Sequence, residues 1–587
     1  MLTDDDRHTT QPVGGGTVTW ACTPGFRPAF IFPFTDAGHY GVGNRYEFQA
    51  LMYRPLYWMG RNGRPEIDYD LSLAEPPEWS QDGRTATITL KPYRWSNGEV
   101  VDADSVMFWM HLFEVNKANH GGYVPGCLPD NLTSYGAVAE NKVALMFDRA
   151  YSRNWLLMNQ LSLITPMPKA WDRTLDGPAN ATHDKADAAA VYAFLMQCNE
   201  DRESYATSPI WSVVNGPWKL ESYSYEGGAT YVPNEHYSGH VKPRLTEFRQ
   251  IPTASDEAEY TMLRLGPRGP DGVQVGFLPF DHVTEPTTDP TKSGPNPLSA
   301  DYRLIPQIIY KFHYFPLNFN NPTPVGAIFK QLYFRQALQS VLDQDGAIRE
   351  LYNGYGYPTT GPIPLLPPSN LLSSARRAHP YPFSIEAARR LLTENGWDVS
   401  TTPATCVNPG TGPGQSGAGV ERGDELTFLM RYAEGHPALT WVMEKLRADA
   451  GQAGIEIALS EVDGDTLVAE DTTCTPGPDS PCLWHMTNWN GGWVYDYPTG
   501  ELLFRTGAGV NFGSYSDAKA DALIAATLTT DDPAALHAYQ DYIAEQVPVI
   551  WMPNFPFRLL EVAHELQGVE PLNPFGMINP ENWYFKA

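Results

Sequence analysis

Segments patterned as strands and segments patterned as helices alternate along this chain, and neither kind ever forms a long run of its own. "TVTWA", Thr17 to Ala21, reads as a short apolar strand, and "RYEFQALMYRPLYW" as a helix running into an extended piece. "TATITL", Thr85 to Leu90, alternates as a half-buried strand does. In "VDADSVMFWMHLFE", Asp102 stands where an N-cap carboxylate accepts from N–H groups two or three residues on, and Val106, Trp109, Met110 and Phe113 share one face. "WKLESYSYEGGATYVPN" predicts a β-hairpin from Trp218 to Val232. "YFRQALQSVLDQDGAIRELYNGYG" predicts a helix through Ala337, Leu338, Val341 and Leu342, a cap at Asp343, and a second short helix ending at Asn353 and Gly354. "SIEAARRLLTENGW" predicts another, capped by Ser384 and stopped by Gly396. Such mixing specifies the α/β class. The Pro-rich and Gly-rich stretches near 265–298, 361–369 and 402–420 are expected to be long loops.

A chain of 587 residues is too long for one core, so two to four domains are expected. Its 68 acidic residues against 41 basic ones exclude nucleic acid and anionic lipid surfaces as partners, because phosphate binding draws its affinity from Lys and Arg. No run of 18 apolar residues occurs, so no membrane-spanning helix is expected. The acidic, Gly-rich start, residues 1–16, reads as a flexible tether without the charged and apolar regions of an export signal, which is expected to be absent or already removed.

None of the six cysteines falls in a C-x-x-C or Cys/His cluster of zinc spacing, so no cysteine-bound metal is expected. "CTPGPDSPC" closes a short loop that predicts a disulfide between Cys474 and Cys482 and hence an oxidising compartment. The pairing of Cys22, Cys127, Cys198 and Cys406 is left open.

Catalytic signatures are missing. "GQSGA", from Gly414, approaches the serine elbow but lies in a Gly-rich loop without the strand and helix that aim the hydroxyl. "AHELQG" has His564 and Glu565 but no second histidine at zinc spacing, and "NGYGYPTTG" has glycines without the strand-to-helix setting of a phosphate cradle. Two carboxylates of a glycosidase are joined only in space, so a secreted glycoside hydrolase remains an alternative.

"NWNGGWVYDYPTGELLF", Asn488 to Phe504, gathers five aromatic residues around Asp496. An acid in a turn is ordinarily an exposed turn residue. Aromatics at 12%, with 16 Trp and 31 Tyr, exceed what cores need and point toward surfaces that contact a ligand.

Four segments in order carry a family resemblance. Leu51 to Trp109 contains "LAEPPEWSQDG" and "WSNGEVVDADSV", similar to an L-A-E-x-W-x-x-D-G turn and an F-x-D-G-x-x-x-x-A-x-D-V segment. "NGPWKLESYSYEGGATYVPNEHYSGHVKPRL", Asn215 to Leu245, is similar to a G-P-F-x-L hairpin followed by N-x-x-Y-x-G-x-x-P. Tyr314 to Pro364 carries "FRQALQSVLDQD" and "GYGYPTTGPIP", similar to an R-x-A-x-x-x-x-x-D helix and a G-x-G-x-P-x-x-G-P-I-P loop, and the fourth segment is the opening stretch, Asn488 to Phe504. Together they resemble the solute-binding proteins of ABC importers, family five, the oligopeptide, dipeptide and nickel group.

The resemblance implies a periplasmic-binding-protein type II-like fold of two lobes with a hinge and an extra domain inserted in the first lobe. The first lobe would hold 17–56, 212–306 and 554–587, the inserted domain 57–211, and the second lobe 307–553. It implies capture of oligopeptides between the lobes by hinge closure. No cofactor, no bound metal and no catalysis are expected. The protein would be a monomer outside the cytoplasm, extracellular or periplasmic, tethered as a lipoprotein and delivering its ligand to a membrane permease. In peptide-binding members an aspartate of a W-x-x-D-Y segment pairs with the peptide's α-ammonium, and Asp496, three residues after Trp493, matches it. Trp489, Asn490, Trp493 and Tyr495 would flank that anchor, Tyr314 would stand near the lobe crossing, and His39 and Tyr40 in "PFTDAGHYGVGN" would be the first-lobe counterpart. Oligosaccharides, which stack on aromatic faces, and metal chelates are the alternative ligands.

Overall fold

The computed structural model describes residues 12–24, 26–478 and 480–586. The chain forms two compact units, one of Met1–Glu285, Thr291–Ile309 and Phe557–Ala587, the other of Pro286–Pro290 and Tyr310–Pro556.

The first unit is built on a seven-stranded mixed sheet in the order Trp218–Ser224, Gly228–Pro233, Glu247–Ile251, Thr17–Ala21, Val275–Phe277, Arg558–Ala563, Tyr302–Gln307. Thr17–Ala21 lies in the middle, parallel to both neighbours. A strand covered on both faces reads as an apolar run, which is what Val18, Trp20 and Ala21 supply. Trp20 stacks on Trp583 at 5.8 Å and meets the edge of Phe277 at 5.6 Å. The hairpin at Trp218 forms as its alternation predicts, with Gly228 at φ +91° where it turns. The stretch 265–298 is not one loop, because Val275–Phe277 is a buried strand of the sheet. Three residues are too few to display alternation, so only their neighbours make them a strand.

A second, four-stranded antiparallel sheet, Glu78–Trp79, Thr85–Thr89, Lys142–Phe147 and Leu132–Ala139, packs against the helix Ala103–Asn116. Asp102 accepts from the Ser105 N–H at 3.0 Å, and Ser105 Oγ completes a capping box. The helix is not one-faced as its spacing predicts: Phe108 and Leu112 are buried as fully as Val106, Trp109, Met110 and Phe113. It is covered by the sheet on one side and by the helix Ala188–Glu200 on another. Upstream, Gly43–Gln49 winds as a π-helix into the α-turn Ala50–Met52. Of the tether expected over 1–16, residues 1–11 lie outside the described residues, and Pro12–Val13 form a strand against Tyr584–Lys586.

Two ion pairs with almost no exposure fasten the C-terminal segment to this unit: Arg54 with Glu581, and Arg558 with Glu47. The Arg54 guanidinium also lies 3.9 Å over Trp58.

In the second unit, Lys311–Pro316 is flanked antiparallel by Gly492–Val494 and Val549–Met552. A parallel sheet of Glu456–Val462, Thr427–Ala433 and Met486–Asn488 connects to it through a bridge between Leu317 and Met486. The helices Leu332–Ser340, Gln344–Glu350 and Ile385–Glu394 form near where their sequences specify them, but the first stops before Val341 and Leu342 and the second before Asn353 and Gly354. Asp343 accepts from the Gly346 N–H at 2.8 Å and Ser384 from the Ala387 N–H at 3.1 Å, as N-caps do. The stretch 402–420 contains the two-residue strand Thr405–Cys406, paired with Trp397–Asp398. Cys474 and Cys482 form a disulfide, and Asn318 Nδ2 donates to the carbonyls of Cys482 and Trp484 at 3.1 and 2.9 Å. Cys22, Cys127, Cys198 and Cys406 are thiols rather than members of disulfides.

Candidate functional site

Six of the eight site residues expected from the sequence come together in the second unit. Antiparallel register puts Trp493 opposite Phe312 and Trp551 opposite Tyr314, so Tyr310, Phe312, Tyr314, Trp493 and Trp551 share one face of the sheet. The Tyr495 N–H extends this ladder by donating to the Tyr310 carbonyl at 2.9 Å, and its ring packs on Phe312 at 5.4 Å. Asp496 follows immediately, half-buried, in the bend that ends the strand.

Glycines make the approach possible. A Cβ on Gly492 would lie 2.3 Å from the Phe312 carbonyl oxygen, and one on Gly491 would lie 2.3 Å from Nε1 of Trp489. The Trp489 indole meets the rings of Tyr314 and Phe512 edge-on, each at 5.5 Å. Asn490 takes φ +59°, a conformation asparagine tolerates, and its N–H donates to Asn488 Oδ1 at 2.8 Å. Trp489, Asn490 and Trp493 are half-buried, whereas Tyr314 and Tyr495 are 3% and 2% exposed and belong to the packed face. Burial pushes the hydroxyls of both tyrosines above their ordinary range, so they stay neutral donors.

His39 and Tyr40 lie in the first unit. His39 Nδ1 is 2.8 Å from Asp36 Oδ1, its N–H donates to the same oxygen at 2.9 Å, and its ring stacks on Phe30 at 4.8 Å. The Asp36 carboxyl is raised by burial but held below its ordinary range overall by the His39 hydrogen bonds. Tyr40 packs under the Arg45 guanidinium at 3.8 Å.

Three polar residues escaped the sequence reading. Lys311 and His313 alternate with the aromatics of their strand and by pattern would face water, yet each is 6% exposed. They lie beside Phe555, at 4.6 and 4.5 Å from its ring. Burial, then the Lys311 charge, holds His313 well below its ordinary range, so it is neutral, and among the described residues its Nε2 has no hydrogen-bond partner. Glu501, the second acid of the Asp496 stretch, is 1% exposed, although its polar turn carries no signal of burial.

A half-buried carboxylate flanked by partly exposed indoles can receive a cation while the rings cover its apolar surroundings. Among the described residues no group of three or more His, Cys, Asp or Glu is placed to hold a metal ion, and no helix is long and apolar enough to cross a membrane.

Residues 69–506 match the family described as bacterial extracellular solute-binding proteins, family 5 Middle. Protein XP55 of Streptomyces lividans is 23% identical over 425 residues, a match covering 70% of this chain and 64% of that protein, so under two thirds of the relative is spanned. The oligopeptide-binding protein AppA of Bacillus subtilis, solved with a nonapeptide, has the same fold with a TM-score of 0.71 at 16% identity, over 98% of this chain and 100% of that one. NikA of Brucella suis, solved with Fe(III)-EDTA, gives 0.69 at 18% identity, over 97% and 100%. The fold is therefore the mixed α/β, periplasmic-binding-protein type II-like fold of these structures. With well over half of its length matched, from Tyr69 to Thr506, the chain belongs to the bacterial extracellular solute-binding proteins of family 5.

Proposed function

We propose that this protein is the substrate-binding component of an ABC importer that captures peptides by closure of its lobes and hands them to a membrane permease. It acts outside the cytoplasm, anchored by a lipid, as a monomer and without catalysis. The observation that supports this reading most is the half-buried Asp496 in an aromatic bend at a sheet edge. A receptor for varied peptides relies on what they share, the α-ammonium and backbone, and leaves side chains to tolerant surroundings. Asp496 answers the ammonium with a charge-assisted hydrogen bond, while Trp489 and Trp493 cover the adjoining apolar surface.

The test is thermal unfolding of the ligand-stripped protein with a mixed-length peptide pool and with the same pool N-acetylated. Ligand at about 100 times its dissociation constant adds roughly 2.7 kcal/mol. A shift with the free pool that disappears on acetylation is expected; an equal shift with both removes the ammonium anchor, and none with either removes the peptide reading. The second reading is a metal chelate, favoured by the similar NikA chain that carries Fe(III)-EDTA. A shift with chelates and none with peptides would establish it.

A further inference from the structure

The first unit contains a cavity of about 110 Å³. It lies between Trp20, Leu560 and Gln307 of the seven-stranded sheet, the antiparallel hairpin of Trp58–Arg61 with Arg64–Asp68, and the C-terminal segment 568–583. Asn62, Glu570 and Pro571 line it and are exposed, which puts that side of the cavity at the surface.

Three buried polar atoms of its lining residues have no hydrogen-bond partner among the described residues: Gln307 Oε1, Asn579 Oδ1 and Trp20 Nε1. Gln307 and Trp20 are each 1% exposed, so bulk solvent does not reach them. A buried polar atom left unpaired destabilises the fold unless something in the cavity answers it. Asn573, by contrast, is committed to the wall: its Nδ2 donates to the Met59 carbonyl and its Oδ1 accepts from the Phe575 N–H, each at 2.8 Å.

The charge of the lining is one-sided. Two carboxylates, Asp68 and Glu570, belong to it, and no Lys, Arg or His does. Asp68 Oδ1 accepts from the Asp70 N–H at 3.0 Å, and Glu570 Oε2 lies 3.9 Å from Arg303 Nε, too far for a hydrogen bond. Arg558, whose guanidinium stands 5.5 Å from the Trp20 ring, is engaged by Glu47. A site with unpaired acceptors and negative charge selects a cation that donates hydrogen bonds.

We propose that this cavity binds a small organic ammonium ion, which donates to Gln307 Oε1 and Asn579 Oδ1 and is balanced in charge by Asp68 and Glu570. A hard metal ion is a poor match, because it calls for about six or more oxygens and Leu71, Leu560, Val569 and Ile578 make much of the wall apolar. An ammonium group has only three N–H bonds to satisfy, and the carbon chain that carries it gains from the apolar wall. The Trp20 indole is a donor, so the ligand is expected to carry an oxygen as well, as an amino alcohol does. The volume suits a molecule of a few non-hydrogen atoms, given that a cavity of about 150 Å³ accommodates benzene. The proposal is independent of the peptide reading, since nothing in it depends on what the second unit binds.

Binding is read by titration calorimetry and thermal shift with ethanolamine hydrochloride and with ethylene glycol, which has the same size and no charge, against sodium chloride at matched ionic strength. Ethanolamine is expected to bind about tenfold or more tightly than the glycol. Gln307→Met replaces the amide with an apolar chain of similar length and is expected to abolish ethanolamine binding. Asp68→Asn, at a half-buried position, is expected to weaken it and serves as the test should Gln307→Met fail to fold, as unliganded unfolding temperatures would show. Equal binding of the two probes, or ethanolamine binding undiminished in either variant, overturns the proposal. No binding of either probe overturns it too and leaves a cavity filled with water, while a shift with calcium chloride and none with ethanolamine would give the cavity to a metal ion instead.

Discussion

Asp496→Asn keeps the shape of the proposed anchor and removes its charge, so its effect reports on the charge alone. Peptide affinity is expected to fall by about tenfold or more, the scale of a charge-assisted hydrogen bond, with little change in unfolding because the group is half-exposed; isothermal titration measures it. Two other acids behave oppositely. Glu259 accepts from the Phe277 N–H at 2.6 Å and Glu561 from Asn296 Nδ2 at 2.7 Å, and burial pushes each carboxyl from its ordinary 4.5 up to about 8. Folded, each keeps its proton up to about pH 8, while unfolded each loses it near 4.5. The folded chain therefore holds more protons between those values, so stability present below pH 4.5 is lost as pH rises toward 8, by up to about 1.4 kcal/mol per pH unit for each group. Urea unfolding at pH 5 and pH 8 should show this decline, and Glu561→Gln should flatten it; an unchanged slope in the variant would place the effect elsewhere. Asp496 stands out as a candidate in the sequence because a motif surrounds it. Glu259 was not, since in "DEAEYTMLR" it looks like the acids around it and only the tertiary fold buries it.

At the level of elements, what the sequence discloses depends on the reach of the bonds involved. Caps at Asp102, Asp343 and Ser384 are legible because donor and acceptor lie within three residues. The strand Val275–Phe277 is not, because its partners are Thr17–Ala21 and Arg558–Ala563, hundreds of residues away. The site strand Gly492–Val494 stands between these cases: its aromatic content is visible in "GGWVYDY", but the need for both glycines appears only in the folded chain. Gly492→Ala sets a Cβ against the backbone of Phe312, which cannot swing away, and is expected to cost about 1–3 kcal/mol in denaturant unfolding along with ligand affinity. Gly491→Ala meets the half-exposed Trp489 ring, which can move. It should weaken peptide binding with much less loss of stability. Equal stability losses in the two variants would mean that Trp489 is as fixed as the backbone.

At the scale of the whole molecule, the first unit is closed by the last segment of the chain. The strand Arg558–Ala563 lies between Val275–Phe277 and Tyr302–Gln307, and the Arg54–Glu581 pair joins residues 527 apart in sequence. No sequence pattern announces such a partnership, and the family match ends at residue 506, before the segment that supplies it. Both members of that pair are fully buried, so removing one leaves the other charge unpaired in a medium that cannot solvate it. Glu581→Gln is expected to destabilise the protein by about 3–5 kcal/mol, because arginine stays charged even where burial disfavours its charge, and Arg54 is left without its counter-ion. The pair is costly to desolvate as well as strong, so Arg54→Met with Glu581→Leu should recover much of that loss in urea unfolding followed by tryptophan fluorescence, despite having no ion pair at all. Recovery would mean that the single variant suffers from an orphaned charge. A double variant as unstable as the single one would instead give the stability to the geometry of Arg54 itself, whose guanidinium lies over Trp58 and which methionine does not replace.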